Sequence, residues 1–158
     1  MASNWFTSGI EKLMNGTITY LSSTIKMMLL GTGTAYTPNV DNDFISAGGA
    51  NDPDDSELNT TNYTGGFAGS GRKTLASKTI TTVDASDRVE FSSAGVTWTA
   101  LGPASAGPTV AAAAIVYEVT NDSDSILLMY IDFTDTTVNG GDFTVNPGTG
   151  GWGYITTV

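Results

Sequence analysis

Two apolar runs, Val110–Val119 and Ser125–Phe133, constrain this chain more than any other feature. They read Val-Ala-Ala-Ala-Ala-Ile-Val-Tyr-Glu-Val and Ser-Ile-Leu-Leu-Met-Tyr-Ile-Asp-Phe. Each has the length of a strand, and both are rich in β-branched or aromatic side chains. Between them lies Thr120-Asn121-Asp122-Ser123-Asp124, a polar stretch of turn-forming residues. That arrangement predicts an antiparallel hairpin at the centre of a β domain. Ile115, Tyr117, Leu127 and Met129 are the expected core contributors. A register slip of one residue would exchange the two faces.

The rest of the chain carries further strand signals. Ser23–Leu30 alternates Thr24, Lys26 and Met28 with Ile25, Met27 and Leu29, so one face is expected to meet solvent. Lys78–Val83 and Arg88–Phe91 flank Asp84-Ala85-Ser86-Asp87, a second hairpin. Val96–Leu101 alternates with Val96, Trp98 and Ala100 on one face. Asp142–Val145 and Tyr154–Val158 are short terminal strands around the glycine turn Gly148–Gly153. Nineteen glycines in 158 residues favour strands joined by tight turns over helices. The long irregular stretch Gly31–Gly71 is expected to be pinned by Phe44, Ile45, Tyr63 and Phe67.

One helix is expected. Phe6, Ile10, Leu13 and Met14 trace one helical face within Trp5–Met14, Thr7 or Ser8 is available as a cap, and Asn15-Gly16 is a stop. The expected organisation is an N-terminal arm or short helix over residues 1–17 and a single β domain over 18–158. The fold class is all-β: an antiparallel β-sandwich or barrel-like domain with a short N-terminal helix and long loops.

Composition excludes several kinds of chemistry. The chain has no His and no Cys. That rules out a Ser-His-Asp triad, histidine or thiolate metal sites and cysteine nucleophiles. Sixteen acids against six bases give a net charge of −10. Such a charge repels nucleic-acid phosphates and anionic membranes, so neither is an expected partner. All six bases lie at or before Arg88, and the acidic C-terminal half is expected to face solvent. The acidic loop Ala47–Glu57 holds the best calcium candidate, Asp52-Pro53-Asp54-Asp55-Ser56-Glu57. It lacks the spaced pattern of an EF-hand and reads more simply as a solvated loop. Gly69-Ser70-Gly71-Arg72-Lys73-Thr74 lacks the spacing of a phosphate loop. No carboxylate pair stands out, so no enzyme activity and no cofactor are expected. The start Met1-Ala2-Ser3-Asn4-Trp5 lacks the features of a secretory signal, and the longest apolar stretch, Val110–Tyr117, is too short to span a bilayer as a helix.

Several segments, taken in order, resemble a family. They are Thr24-Ile25-Lys26-Met27-Met28-Leu29-Leu30, Tyr36-Thr37-Pro38-Asn39, Asn62-Tyr63-Thr64-Gly65-Gly66, Val96-Thr97-Trp98-Thr99, Ala114-Ile115-Val116-Tyr117 and Tyr130-Ile131-Asp132-Phe133. This order is similar to that in small structural, head-associated proteins of tailed bacteriophages, from about Ile18 onward. The chain departs from it at Ala47–Glu57 and Gly148–Gly153. The resemblance implies a component of the virion, assembled in the host cytoplasm. A small acidic β domain suits a capsid decoration, or cement, protein that binds the major capsid protein or other virion proteins as a homo-oligomer such as a trimer. Repeated lattice sites let weak contacts add. The alternative within the virion is a tail, neck or fibre subunit. A carbohydrate-binding β-sandwich is a second alternative, resting on Trp152 and Tyr154 beside the glycine-rich loop. Trp5, Phe6, Ile10, Leu13 and Met14 are the expected partner contacts, unless the same stripe closes the protein's own core.

Overall fold

Along residues 2–49 and 51–156, which the computed structural model describes, the elements run in a simple order. They are β1 (Ala2–Trp5), α1 (Thr7–Met14), β2 (Ile25–Gly31), β3 (Lys73–Thr74), β4 (Thr79–Val83), β5 (Arg88–Ser92), β6 (Val96–Trp98), β7 (Thr109–Tyr117), β8 (Ile126–Thr137), β9 (Phe143–Val145) and β10 (Gly153–Thr156). Short 3-10 turns occupy Pro53–Ser56 and Asp84–Ser86. The strands are antiparallel throughout, as the alternation and turn signals predict.

The central hairpin is present. β7 and β8 pair antiparallel, with Ile115 opposite Met129 and Tyr117 opposite Ile126. Ile115, Leu127 and Met129 are fully buried, and Tyr117 packs half-buried against the core. These strands lie inside a five-stranded sheet of order β1-β8-β7-β2-β3. A three-stranded sheet, β10-β5-β4, and a two-stranded sheet, β6-β9, complete the fold.

The five-stranded sheet is covered on both faces, which explains why its strands read as continuous apolar runs rather than alternations. One face carries Ile25, Met27, Leu29, Ile115 and Ile131 into a core shared with Phe91, Trp98 and Trp152 from the smaller sheets and their loops. The other carries Met28, Leu30, Ala112, Ala114 and Val116 against Phe6, Tyr36 and Ile45. The expectation that one face of Ser23–Leu30 meets solvent is therefore corrected at Met28, which is fully buried. The long stretch after β2 supplies this second cover. Ile45 and Tyr63 pin it as expected, whereas Phe44 and Phe67 stay exposed.

Of the arm or short helix expected over residues 1–17, the short helix forms, and the residues before it join the sheet. β1 adds to β8, pairing Ser3 with Ile131 and Trp5 with Met129. α1 then crosses β8 so closely that a Cβ on Gly9 would lie 2.6 Å from Leu127 O and 2.7 Å from Leu128 Cα. Only glycine permits that approach. The helix stops where expected, with Asn15 as its C-cap and Gly16 at φ +79°. Its N-cap is Phe6 with no side-chain cap, so neither Thr7 nor Ser8 fills that role. The expected strand Tyr154–Val158 begins one residue earlier, and its last two residues lie outside the described residues.

Candidate functional site

The densest polar constellation in the molecule surrounds Arg72, whose side chain is wholly buried. Its Nε and Nη2 donate to Glu57 Oε1 and Oε2 at 2.9 and 2.6 Å. Nη1 and Nη2 donate to Asp122 Oδ1 and Oδ2 at 2.6 and 3.0 Å, and Nη1 also reaches Glu118 Oε1 at 3.0 Å. All five guanidinium protons are thus used. Lys26 pairs with Glu118 on the far side. Glu57 also accepts from Gly66 N at 2.8 Å and from the Tyr63 hydroxyl at 3.1 Å. That hydroxyl in turn accepts from Leu29 N, and Asp122 accepts from Phe67 N.

Burial works against the Arg72 charge, but hydrogen bonds and charge from Glu57 and Asp122 outweigh it and hold its pKa above the ordinary value. Burial, then the charge of Glu57, pushes the Tyr63 phenol well above its usual range. Every donor is committed and the carboxylates face inward. The cluster ties the loop around residues 57–72 to the β7–β8 turn. It also corrects the expectation that the acids after Arg88 face solvent: Glu118 and Asp122 are turned inward.

Two other candidates resolve into structure as well. In the acidic loop, Asp52 is buried and caps Ala47 N and Gly49 N, each at 2.8 Å. Among the described residues, no three His, Cys, Asp or Glu side chains converge to hold a metal ion. Trp152, on which the carbohydrate-binding alternative rests together with Tyr154, is 1% exposed and donates its Nε1 proton to Ser93 Oγ at 2.8 Å. Tyr154 is exposed, but the Arg88 guanidinium lies 4.8 Å from its ring centroid and occupies a face. Trp98 is fully buried and Trp5 half-buried, so no tryptophan is open for stacking.

The expected contact stripe splits in two. Phe6 is 1% exposed and belongs to the core behind the five-stranded sheet. Trp5 is half-buried, edge-on to Phe91 with ring centroids 5.0 Å apart, and donates to Tyr154 O at 3.1 Å. These two side chains hold the N-terminus to the domain. Ile10, Leu13 and Met14 behave differently. They form one wall of an open apolar groove, volume about 250 Å³, opposite Ile80, Phe91 and Ile155 of the three-stranded sheet. Met14 is 78% exposed and Ile80 44%. Ile80 lies opposite Phe91 in the sheet and so shares its inner face, yet Ile80 stays exposed where Phe91 is buried. Sequence reading singled out the helix side of this groove and missed Ile80, because its neighbour across the groove is set by packing.

No helix among the described residues is long and apolar enough to cross a membrane. Comparison with protein-family models, with curated proteins and with solved structures finds no match.

Proposed function

We propose that this protein is a non-enzymatic structural component of a tailed-bacteriophage virion, and that it decorates the head by binding the major capsid protein. The observation that carries this reading is the open apolar groove between α1 and β4. Its exposed members, Met14 and Ile80, stand on one continuous apolar lining with Ile10, Leu13 and Ile155, the kind of patch that marks a protein contact. The internal closure of the Arg72 cluster favours a scaffold over a catalyst, since its charged groups are consumed by each other. The sequence resemblance supplies the virion.

The test is binding to separated heads and tails of the phage that encodes the chain. Decoration requires binding to heads at a copy number that matches a lattice position. It also requires loss of that binding in Met14→Asp/Ile80→Asp, with the circular dichroism spectrum unchanged. Binding to tails alone transfers the protein to the tail, neck or fibre. Binding to neither overturns the reading.

A further inference from the structure

β4 is the longest of the strands that end a sheet among the described residues. It is the terminal strand of β10-β5-β4, and its five residues, Thr79-Ile80-Thr81-Thr82-Val83, are exposed or half-exposed. The other sheet ends, β1, β3, β6, β9 and β10, run two to four residues. Natural proteins usually guard an edge with a charge, a proline or a bulge. β4 has none of these, and its pairing with β5 is regular from Thr79 to Val83.

We infer that β4 is a self-association edge, pairing antiparallel with β4 of a second copy about a two-fold axis through Thr81. Three observations favour a second copy over another occupant. First, a two-fold axis perpendicular to a sheet keeps the two inner faces on one side. The uncovered inner-face residues then meet: Ile80 lies opposite Thr82 of the second copy and diagonal to its Ile80. The two apolar grooves, each flanked by Met14, become one strip. Second, the strand carries no charge, so a chain of net charge −10 meets its copy here without like charges opposed across the ladder. Third, the charges that flank β4 complement each other in this register. With Thr81 on the axis, Thr79 faces Val83, and just beyond the strand Lys78, whose Nζ donates to Ser23 O within the chain, comes level with Asp84 of the other copy at both ends of the ladder. An axis through Ile80 sets Lys78 against Thr82, and one through Thr82 sets Asp84 against Ile80. Only the Thr81 register matches charge with charge. The result is a continuous six-stranded sheet and a dimer, where the sequence alone suggested a trimer.

The inference goes beyond the virion reading and does not depend on it, because its test uses the isolated protein. The chain has no cysteine, so Thr81→Cys introduces a single thiol. Directly opposed positions of an antiparallel pair lie within disulfide reach. Mild oxidation should convert T81C to a covalent dimer much faster than Thr99→Cys, an exposed control away from β4. By sedimentation equilibrium, the parent should dimerise, Asp84→Lys should weaken the dimer about tenfold, and Lys78→Glu/Asp84→Lys should restore it. A native circular dichroism spectrum for each variant shows that the fold is intact. A parent that stays monomeric, with T81C crosslinking no faster than T99C, overturns the inference. A dimer that D84K leaves intact overturns the register.

Discussion

Removing the Arg72 side-chain charge tests whether the buried cluster holds the fold. Arg72→Met keeps much of the stem volume and deletes all five donors. Glu57, Glu118 and Asp122 then remain, with side chains 3%, 10% and 16% exposed and Lys26 as the sole remaining cation of the group. Breaking a buried ion pair by removing one partner costs about 3–5 kcal/mol, because the other charge stays buried and uncompensated. Partial exposure of Asp122 and the Lys26 contact place the expected loss near the lower end, about 3 kcal/mol. A chain of this size loses roughly 2–4 °C of Tm per kcal/mol, so the melt should fall by about 6–12 °C. Arg72→Lys should fall between parent and R72M, since a point charge cannot reproduce the two bidentate forks. Adding Glu57→Gln and Asp122→Asn to R72M should recover part of the loss, because the stranded charge is the main penalty. The assay is scanning calorimetry at neutral pH and two ionic strengths, with little salt dependence expected in the parent. An R72M melt within 1 °C of the parent would refute the reasoning and make the cluster a passive feature of the loops.

Three further outcomes follow from the geometry. Asp54 Oδ1 is buried without a protein hydrogen-bond partner, and burial, with the nearby Asp55 and Asp52 charges adding to it, raises the Asp54 pKa. A raised folded-state pKa means stability is lost as pH rises through it, so Asp54→Asn should melt higher than the parent at neutral pH, and the difference should close as pH falls below the ordinary value of 3.8. Gly9→Ala should cost about 1–3 kcal/mol, since the new methyl meets backbone atoms that cannot move aside, and limited proteolysis should cut the N-terminal segment faster. Phe6→Ala should cost about 3–5 kcal/mol, whereas Met14→Ser should leave the denaturant midpoint nearly unchanged, within about 0.5 kcal/mol.

The hairpins were legible because their signals are local. Asp84–Asp87 sits between two strand-length runs, and Thr120–Asp124 between two more, and both connect antiparallel neighbours as expected. What the sequence concealed is pairing at long range. Nothing near Gly153 marks it as a partner of Phe91, nor Val96 of Val145. β1 was hidden for a related reason: Ala2-Ser3-Asn4-Trp5 has no alternation of its own and becomes a strand because β8 offers it an edge. The Arg72 cluster was hidden too, since its partners lie 15, 46 and 50 residues away. Its local setting, Ser70-Gly71-Arg72-Lys73, reads as an ordinary polar loop. The contact stripe was half legible. Helical periodicity placed Ile10, Leu13 and Met14 on one face but assigned Phe6 to the same surface, and periodicity cannot tell an outward face from one closed by a neighbouring loop.

The distribution of charge narrows what this protein can bind. Of its six cations, ion pairs within the chain take up Lys12 with Glu11, Lys26 with Glu118, Arg72 with three carboxylates and Arg88 with Glu90. Only Lys73 and Lys78 remain outside these pairs, and Lys78 donates to Ser23 O. An anionic partner would therefore meet a chain of net charge −10 in which four of the six cations are held in ion pairs. The proposed contact can draw on apolar area, on backbone hydrogen bonds or on a cationic partner. The first two occur side by side in one place, where the uncharged edge of β4 borders the groove lined by Met14 and Ile80. A partner held there would add main-chain hydrogen bonds to apolar burial, and neither interaction falls away with salt as a surface ion pair does. Association through this region should therefore persist at high ionic strength, weakened only by screening of the Lys78–Asp84 pairs at its ends. If it dissolves as salt is raised from low to physiological levels, the contact is electrostatic and lies elsewhere on the molecule.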